Sequence, residues 1–222
     1  MFNSHPRLQT LPQGRLQERE APPEREDCPI AASGQGLGIS LTPLIPVEGW
    51  GKTASESPTV WVYVSYNNGA GETTITGEIS LEERDTNRRL PPGKVSISLP
   101  TQSGAFPIHF TSALAPNTWY RWYLVVDCST PDSGETTSVL SVEGLIYPEA
   151  ISTLPATPQD RLQFYAEDGF WDDAINEAGE IYCSQPNDAN LADWESLLKY
   201  GKLLNEVNPE LLICPTKLHA VE

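Results

Sequence analysis

Two pairs of adjacent carboxylates, Glu82–Glu83 and Asp172–Asp173, come nearest to acid–base chemistry in this 222-residue chain. Cleaving a glycoside takes one carboxyl as general acid and another as base or nucleophile, set apart across the scissile bond. Adjacent residues on a strand point to opposite faces, so Glu82 and Glu83 do not converge on one substrate. Asp172 and Asp173 fall in the first turn of an expected helix, where negative charge answers the positive end of the helix dipole. The three histidines, His5, His109 and His219, are far apart, and no HExxH or cysteine–histidine zinc spacing occurs. His109 reads as a strand-edge residue rather than a ligand. GQGLG (Gly34 to Gly38) precedes a strand instead of joining strand to helix, so it reads as a turn and not a phosphate loop. There is no GxSxG elbow, and Asp127 and Asp132 flank a turn without the spacing of a calcium loop. No catalytic residue, metal ligand or cofactor is expected.

Aromatic residues are the more informative class. Trp61, Tyr63, Trp119 and Tyr123 stand at alternating strand positions, and Trp171 opens a helix. Planar side chains in a row on a sheet can stack on sugars or anchor a protein partner. The competing reading, and the preferred one, is that helices cover this face and that Trp171 and Phe170 pack onto it. Buried rings favour a protein-interaction or structural module; an exposed coplanar row favours a carbohydrate-binding sheet. An enzyme ranks third.

The element best defined by its pattern is Thr118 to Cys128, TWYRWYLVVDC. Tyr120, Trp122, Leu124, Val126 and Cys128 make one continuous apolar series, as on a strand with one face buried. The other series, Trp119, Arg121, Tyr123, Val125 and Asp127, is mixed, as on a partly covered face. In Pro58 to Tyr66, PTVWVYVSY, both series are bulky, which predicts an interior strand. Further alternation marks Leu37 to Leu41, Thr74 to Glu82, Val95 to Leu99 and Ser141 to Ile146, with AFPIHF a weaker segment. Turn residues at NNGAG, PPG, APNT and PDSGE separate them. Short strands with turns between them predict an antiparallel, immunoglobulin-like β-sandwich over 28–150.

A linker over 151–156 ends this pattern, and helical spacing follows over 157–204. Leu162, Tyr165 and Ala166 form one stripe; Trp171, Ala174, Ile175, Ala178 and Ile181 the next; Leu191, Trp194, Leu197 and Leu198 a third. Gly169 separates the first two helices, and Pro186 with Asn187 the second from the third. Isolated short helices are marginal in water, so this segment is expected to dock on the sandwich. Residues 1–27 hold mixed charges and prolines with almost no apolar pattern and are expected to be disordered, and 205–222 reads as a C-terminal tail.

Twenty prolines, sixteen glycines and one methionine suit a turn-rich β architecture. The formal net charge is −16, divided as −1 over 1–27, −6 over 28–150 and −9 over 151–222. Such a surface repels phosphate backbones and anionic lipid, which argues against nucleic acid and membrane-surface partners. No apolar run approaches the ~20 residues that span a bilayer.

Two resemblances add to this reading. Tyr165, Gly169, Trp171, Ala174, Ala178 and Pro186 are similar in spacing to a tetratricopeptide unit, a type that usually binds proteins. One unit is present where stable arrays need about three, so it must lean on another surface. The chain from about Cys28 onward also resembles a cyanobacterial family of unknown function, the one numbered 928. LTPLIP, SPTVWVYVSY, WYRWYLVVDC, VEGLIY and RLQFYAEDGFWDDAI carry that resemblance. It implies no reaction and no catalytic residues. Its members commonly begin with a secretion signal followed by a Pro/Arg-rich tail; this sequence has the tail and starts without the signal. The expected compartment is periplasmic or extracellular if the true start carries a signal, and cytoplasmic otherwise.

The cysteines bear on the same question. Cys128 ends the buried series and Cys28 stands where the tail meets the first strand, so a Cys28–Cys128 bridge would pin a loose edge to the core. The resemblance weighs for that bridge and the absent signal against it. The alternative is four free thiols, with Cys128 a small core residue. Little in the sequence pairs Cys183 with Cys214.

Overall fold

A computed structural model describes residues 38–67, 75–127 and 139–214. Residues 1–27, Cys28 and Cys128, for which the sequence carries expectations, lie outside them, as do NNGAG from its second residue and the PDSGE turn.

Three strands form a small antiparallel sheet in the order β1 (Ile39–Pro43), β3 (Thr59–Tyr66), β7 (Gly104–His109). A larger sheet runs β2 (Trp50–Thr53), β9 (Val139–Pro148), β8 (Tyr120–Asp127), β4 (Thr76–Glu83), β5 (Arg88–Arg89), with β6 (Val95–Ser98) also paired to β4. Three helices follow: α1 (Pro158–Asp168), α2 (Trp171–Ser184) and α3 (Asp188–Tyr200). The fold is mainly β, with two sheets and three C-terminal helices.

One expectation needs correcting. The pairing is not antiparallel throughout, because β2 runs parallel to β9, with Trp50 opposite Leu145 and Thr53 opposite Pro148. Six strands, β3 to β8, lie between the two in the chain, so β2 arrives at the sheet edge along β9 rather than by a hairpin. AFPIHF is also a full sheet member: as β7 it pairs with β3 from Thr59–His109 to Val64–Gly104.

Burial follows alternation. Tyr120, Trp122, Leu124 and Val126 of β8 are buried between the sheets with Ile79 and Leu81 of β4. Val60, Val62 and Val64 of β3 join the same core from the other side. The alternate residues of β3, Trp61 and Tyr63, belong to a second core with Leu44, Ala105, Leu162, Trp171, Ala174, Ile175, Ala178 and Trp194. The small sheet therefore lies between the large sheet and the helices, and its central strand is apolar on both faces.

Helices α1 and α3 begin at side-chain caps. Thr157 caps α1 by accepting from the Asp160 N–H at 3.2 Å, and Pro158 needs no partner at the first helical position. Gly169, at φ +76°, supplies the left-handed residue that stops α1. Asn187 caps α3 through the Asn190 N–H at 3.0 Å. α2 then meets the small sheet at close range. Trp171 Nε1 donates to the Leu44 carbonyl at 2.8 Å, and Trp61 Nε1 donates to Asn176 Oδ1 at 3.2 Å. Trp61 and Trp194 meet edge to face at 5.2 Å. A side chain at Gly179 would put its Cβ 2.5 Å from the Trp61 ring, so glycine there is what lets α2 approach.

The chain beyond 204 is not a tail as far as Cys214. Val207 is buried, the Ala105 N–H donates to Leu211 O at 2.7 Å and the Ile213 N–H to Ala105 O at 2.8 Å. Cys183 and Cys214, for whose pairing there is little ground in the sequence, form a disulfide with Cα atoms 5.4 Å apart. Neither cysteine's local pattern shows that the end of α2 lies beside residue 214.

Trp171→Ala removes a buried indole and its hydrogen bond from the core that holds the helices. We expect it to lower unfolding free energy by about 3–5 kcal/mol in urea titration, and a wild-type midpoint would place the indole outside that core.

Candidate functional site

The five aromatics singled out from the sequence do not share a surface. Trp61 is 2% exposed, and Tyr63 and Trp171 are 6% exposed, all three in the core beneath the helices. The helices cover that face of the small sheet, so these three are packing residues, as the preferred reading has it, and not surface candidates. Trp119 and Tyr123 are half-buried and lie on the large sheet, on the face turned away from the sandwich. That position follows from their alternation with the buried Tyr120 and Trp122.

On this outer face the register gathers other residues around Trp119. Leu145 stands opposite both Trp50 and Arg121, and Arg121 opposite Glu82. Tyr147 stands opposite Lys52, one step further along β9. The ladder continues past β8, where the Arg84 N–H donates to the Trp119 carbonyl at 2.8 Å. The Trp119 ring is 5.6 Å from Trp50 at 79° and 4.8 Å from Tyr147 at 47°. The Arg84 guanidinium lies 5.9 Å from the Trp119 centroid, within reach of its π face. Tyr147 donates to Asn117 Oδ1 at 3.4 Å. Trp50, Tyr147, Arg84 and Arg121 were not identified as site residues from the sequence. Tyr147 was within reach, since it continues the outward series Ser141, Glu143, Leu145.

The charges around this cluster are mostly neutralised in pairs. Arg88 meets Glu83 at 2.9 Å, Arg89 meets Glu82 at 2.7 Å, and Lys94 meets Glu78 at 2.7 Å. Lys52 meets Glu149 at 3.3 Å and sits 4.0 Å over the Phe170 ring. These pairs also account for Glu82 and Glu83. Among the described residues, Arg84 and Arg121 take part in no ion pair. Arg121 Nη1 donates to the Tyr123 hydroxyl at 3.3 Å, while its Nε is buried without a partner. Arg121 is held by Tyr123 and lies in the field of Glu143 and Glu82, which leaves Arg84 as the more available guanidinium. An aromatic cluster flanked by such a guanidinium can hold a ligand that brings carboxylate and apolar groups together.

Asp172 and Asp173 need a second correction. They do stand in the first turn of α2, but that turn packs on β2 rather than facing water. Asp172 is 3% exposed, with Oδ2 unpartnered and its carboxyl against Gly51, where a Cβ would fall 2.3 Å from Oδ1. Burial, and then the charge of Asp173, push its pKa well above the usual carboxylate range. Asp173 accepts from the Ala54 N–H at 2.6 Å and the Thr53 hydroxyl at 3.1 Å. Those bonds only partly offset burial, which takes it to about 6. Beside them Glu177 is held by Arg161 through contacts of 3.0 and 2.7 Å. The pair packs against Gly51, Thr53 and Ala54. Its chemistry is proton-linked packing.

A raised folded-state pKa means that the stabilising proton is in place below the unfolded value near 3.8 and is lost as pH rises through the folded value. Wild-type stability from these carboxyls should therefore decline from pH 5 to pH 8. Asp172→Asn removes the charge that must be neutralised. We expect it to raise stability at pH 8 by on the order of 1–3 kcal/mol and to flatten the pH dependence, read by thermal melts. A variant less stable than wild type at pH 8 would contradict this.

A family model described as Domain of Unknown Function (DUF928) matches residues 23–211. No curated protein matches the chain. Among solved structures, the chain is similar to the CARDB domain of the PF1109 protein from Pyrococcus furiosus, crystallised in complex with di-metal ions. The identity is 15%, the match covers 51% of this chain and 94% of that one, and the TM-score is 0.30. Among the described residues no helix is long and apolar enough to cross a membrane.

Proposed function

The chain belongs to the DUF928 family, whose description names no activity, and from that premise we propose that it is a non-enzymatic interaction module that binds a protein partner. The partner contacts the outer face of the large sheet at Trp50, Trp119, Tyr147, Arg84 and Arg121. The observation that carries this reading is the Arg84 guanidinium, which has no ion-pair partner among the described residues, beside three half-buried aromatic rings. Elsewhere on this sheet the cations are matched by neighbouring glutamates. The partner is a segment that presents carboxylates next to apolar side chains. Indole and guanidinium groups are the side chains most often found at the energetic centres of such interfaces.

The ring geometry favours a protein over a sugar. A sugar-stacking platform presents near-coplanar faces, whereas these rings meet at 79° and 47°. Rings set on edge to one another form notches that take individual side chains. The helices support the sheet in this reading. Ala174 and Ala178, at the small positions of the tetratricopeptide-like pattern, are buried and allow close approach.

Selection of displayed random peptides against the intact protein tests the reading. The selected peptides should be rich in Asp and Glu beside aliphatic or aromatic residues. Trp119→Ala should weaken their binding by about 30-fold or more, as loss of a central aromatic anchor does, with an unchanged melting temperature. Selection without acidic enrichment would overturn the proposal. So would binding to neutral glycans on an array that the same substitution abolishes.

A further inference from the structure

We propose that the Cys183–Cys214 disulfide is a redox latch on a strap, residues 208–214, that closes the edge of the small sheet. Cys183 lies half-buried in the last turn of α2, and Cys214 is exposed, so the bond is approachable from the Cys214 side. No residue from 208 to 214 is buried. Apart from the bridge, the strap's hold on the sheet is narrow. It consists of the Ala105 N–H to Leu211 O and Ile213 N–H to Ala105 O bonds, at 2.7 and 2.8 Å, and two side chains. Ile213 rests on the core between the sheets and Leu212 on the core beneath the helices. The strap thus covers the seam where both cores reach the outer edge of β7.

That edge offers little more to hold it. The next outward-facing position after Ala105 is Pro107, which has no N–H to donate. Two backbone hydrogen bonds and two half-buried side chains do not offset the entropy of ordering seven residues. A covalent tether at the far end does, because it keeps the strap beside its partner. The fit at Gly104 shows how close that placement is: a Cβ there would fall 2.8 Å from Ile213 and 2.9 Å from the Leu211 carbonyl.

The opening step requires a dithiol reductant. Its thiolate attacks Cys214 Sγ, the bond between the two cysteines breaks, and Cys183 leaves as a thiolate that takes a proton. The reductant's second thiol then displaces Cys214 and closes a disulfide within the reductant. Two electrons pass to the bridge and both cysteines end as thiols. The strap then leaves β7 while the two sheets and the helices stay folded.

Hydrogen exchange on the full-length chain tests this, comparing the oxidised protein, the same protein treated with dithiothreitol, and a Cys183→Ser/Cys214→Ser variant. The variant isolates this bridge from any effect of the reductant on other cysteines. With the latch open, the Ala105 and Ile213 amides should exchange within about tenfold of unstructured-peptide rates, while β8 and β9 amides remain slowed at least ~1,000-fold. Retained slowing at Ala105 and Ile213 in the variant would overturn the proposal, because the strap would hold without its bridge. Loss of slowing through β8 and β9 as well would also overturn it, since the bridge would then be a staple of the whole fold. A bridge that stays intact in dithiothreitol, read by thiol alkylation and mass, would remove its redox character.

Discussion

Burial of β3 on both faces is the constraint on which the other elements depend. Val60, Val62 and Val64 point one way and Trp61 and Tyr63 the other, and each set needs its own cover. The large sheet supplies the first cover and the helices the second. Each large apolar side chain removed from water contributes roughly 1.5–3 kcal/mol, so neither cover is dispensable. Close approach on the helical side is set by Gly179 against Trp61 and by Trp171 against the Leu44 carbonyl. Within the large sheet Gly144 leaves room for its cross-strand neighbour Trp122, whose indole a Cβ there would meet at 2.7 Å.

This arrangement also decides which aromatics are available to a ligand. Covering the small sheet with helices consumes Trp61, Tyr63 and Trp171. Helix α2 reaches the large sheet at β2 and leaves Arg121, Tyr123, Leu145 and Tyr147 half-buried on the outer face of β8 and β9. The cluster of Trp50, Trp119 and Tyr147 is therefore held on paired strands, which fix side-chain positions better than loops do. Arg84 is carried beside it by the same ladder, through its backbone bond to Trp119.

Much of the fold was legible because the periods were clean. The alternation from Tyr120 to Val126 gave a strand with one buried face, and Gly169, Pro186 and Asn187 marked the helix boundaries. Pairing was less legible, because a strand's own residues do not name its neighbour. The four residues of β2 carry no sign that they lie along β9, and β7 looks weak only because Pro107 interrupts its pattern. The site was half legible for the same reason. Trp61 and Trp119 look alike in sequence and differ in which sheet receives them. Asp172 and Asp173 occupy first-turn positions that read the same whether that turn faces water or Gly51. The bridge between Cys183 and Cys214 depends on where residues 201–214 travel after α3, which no local pattern encodes.

The parallel pairing of β2 with β9 has a consequence for synthesis. Trp50 finds its partner at Leu145, and Thr53 and Ala54 find theirs at Asp173. On a ribosome moving at about 5–20 residues per second, β2 emerges several seconds before either partner exists. β3 emerges with it and waits equally long for the helices that cover Trp61 and Tyr63. During that interval the nascent chain displays an aromatic strand with no cover on one face, the kind of surface that chaperones recognise. The order of translation thus leaves the centre of the molecule as the last part to be shielded from water.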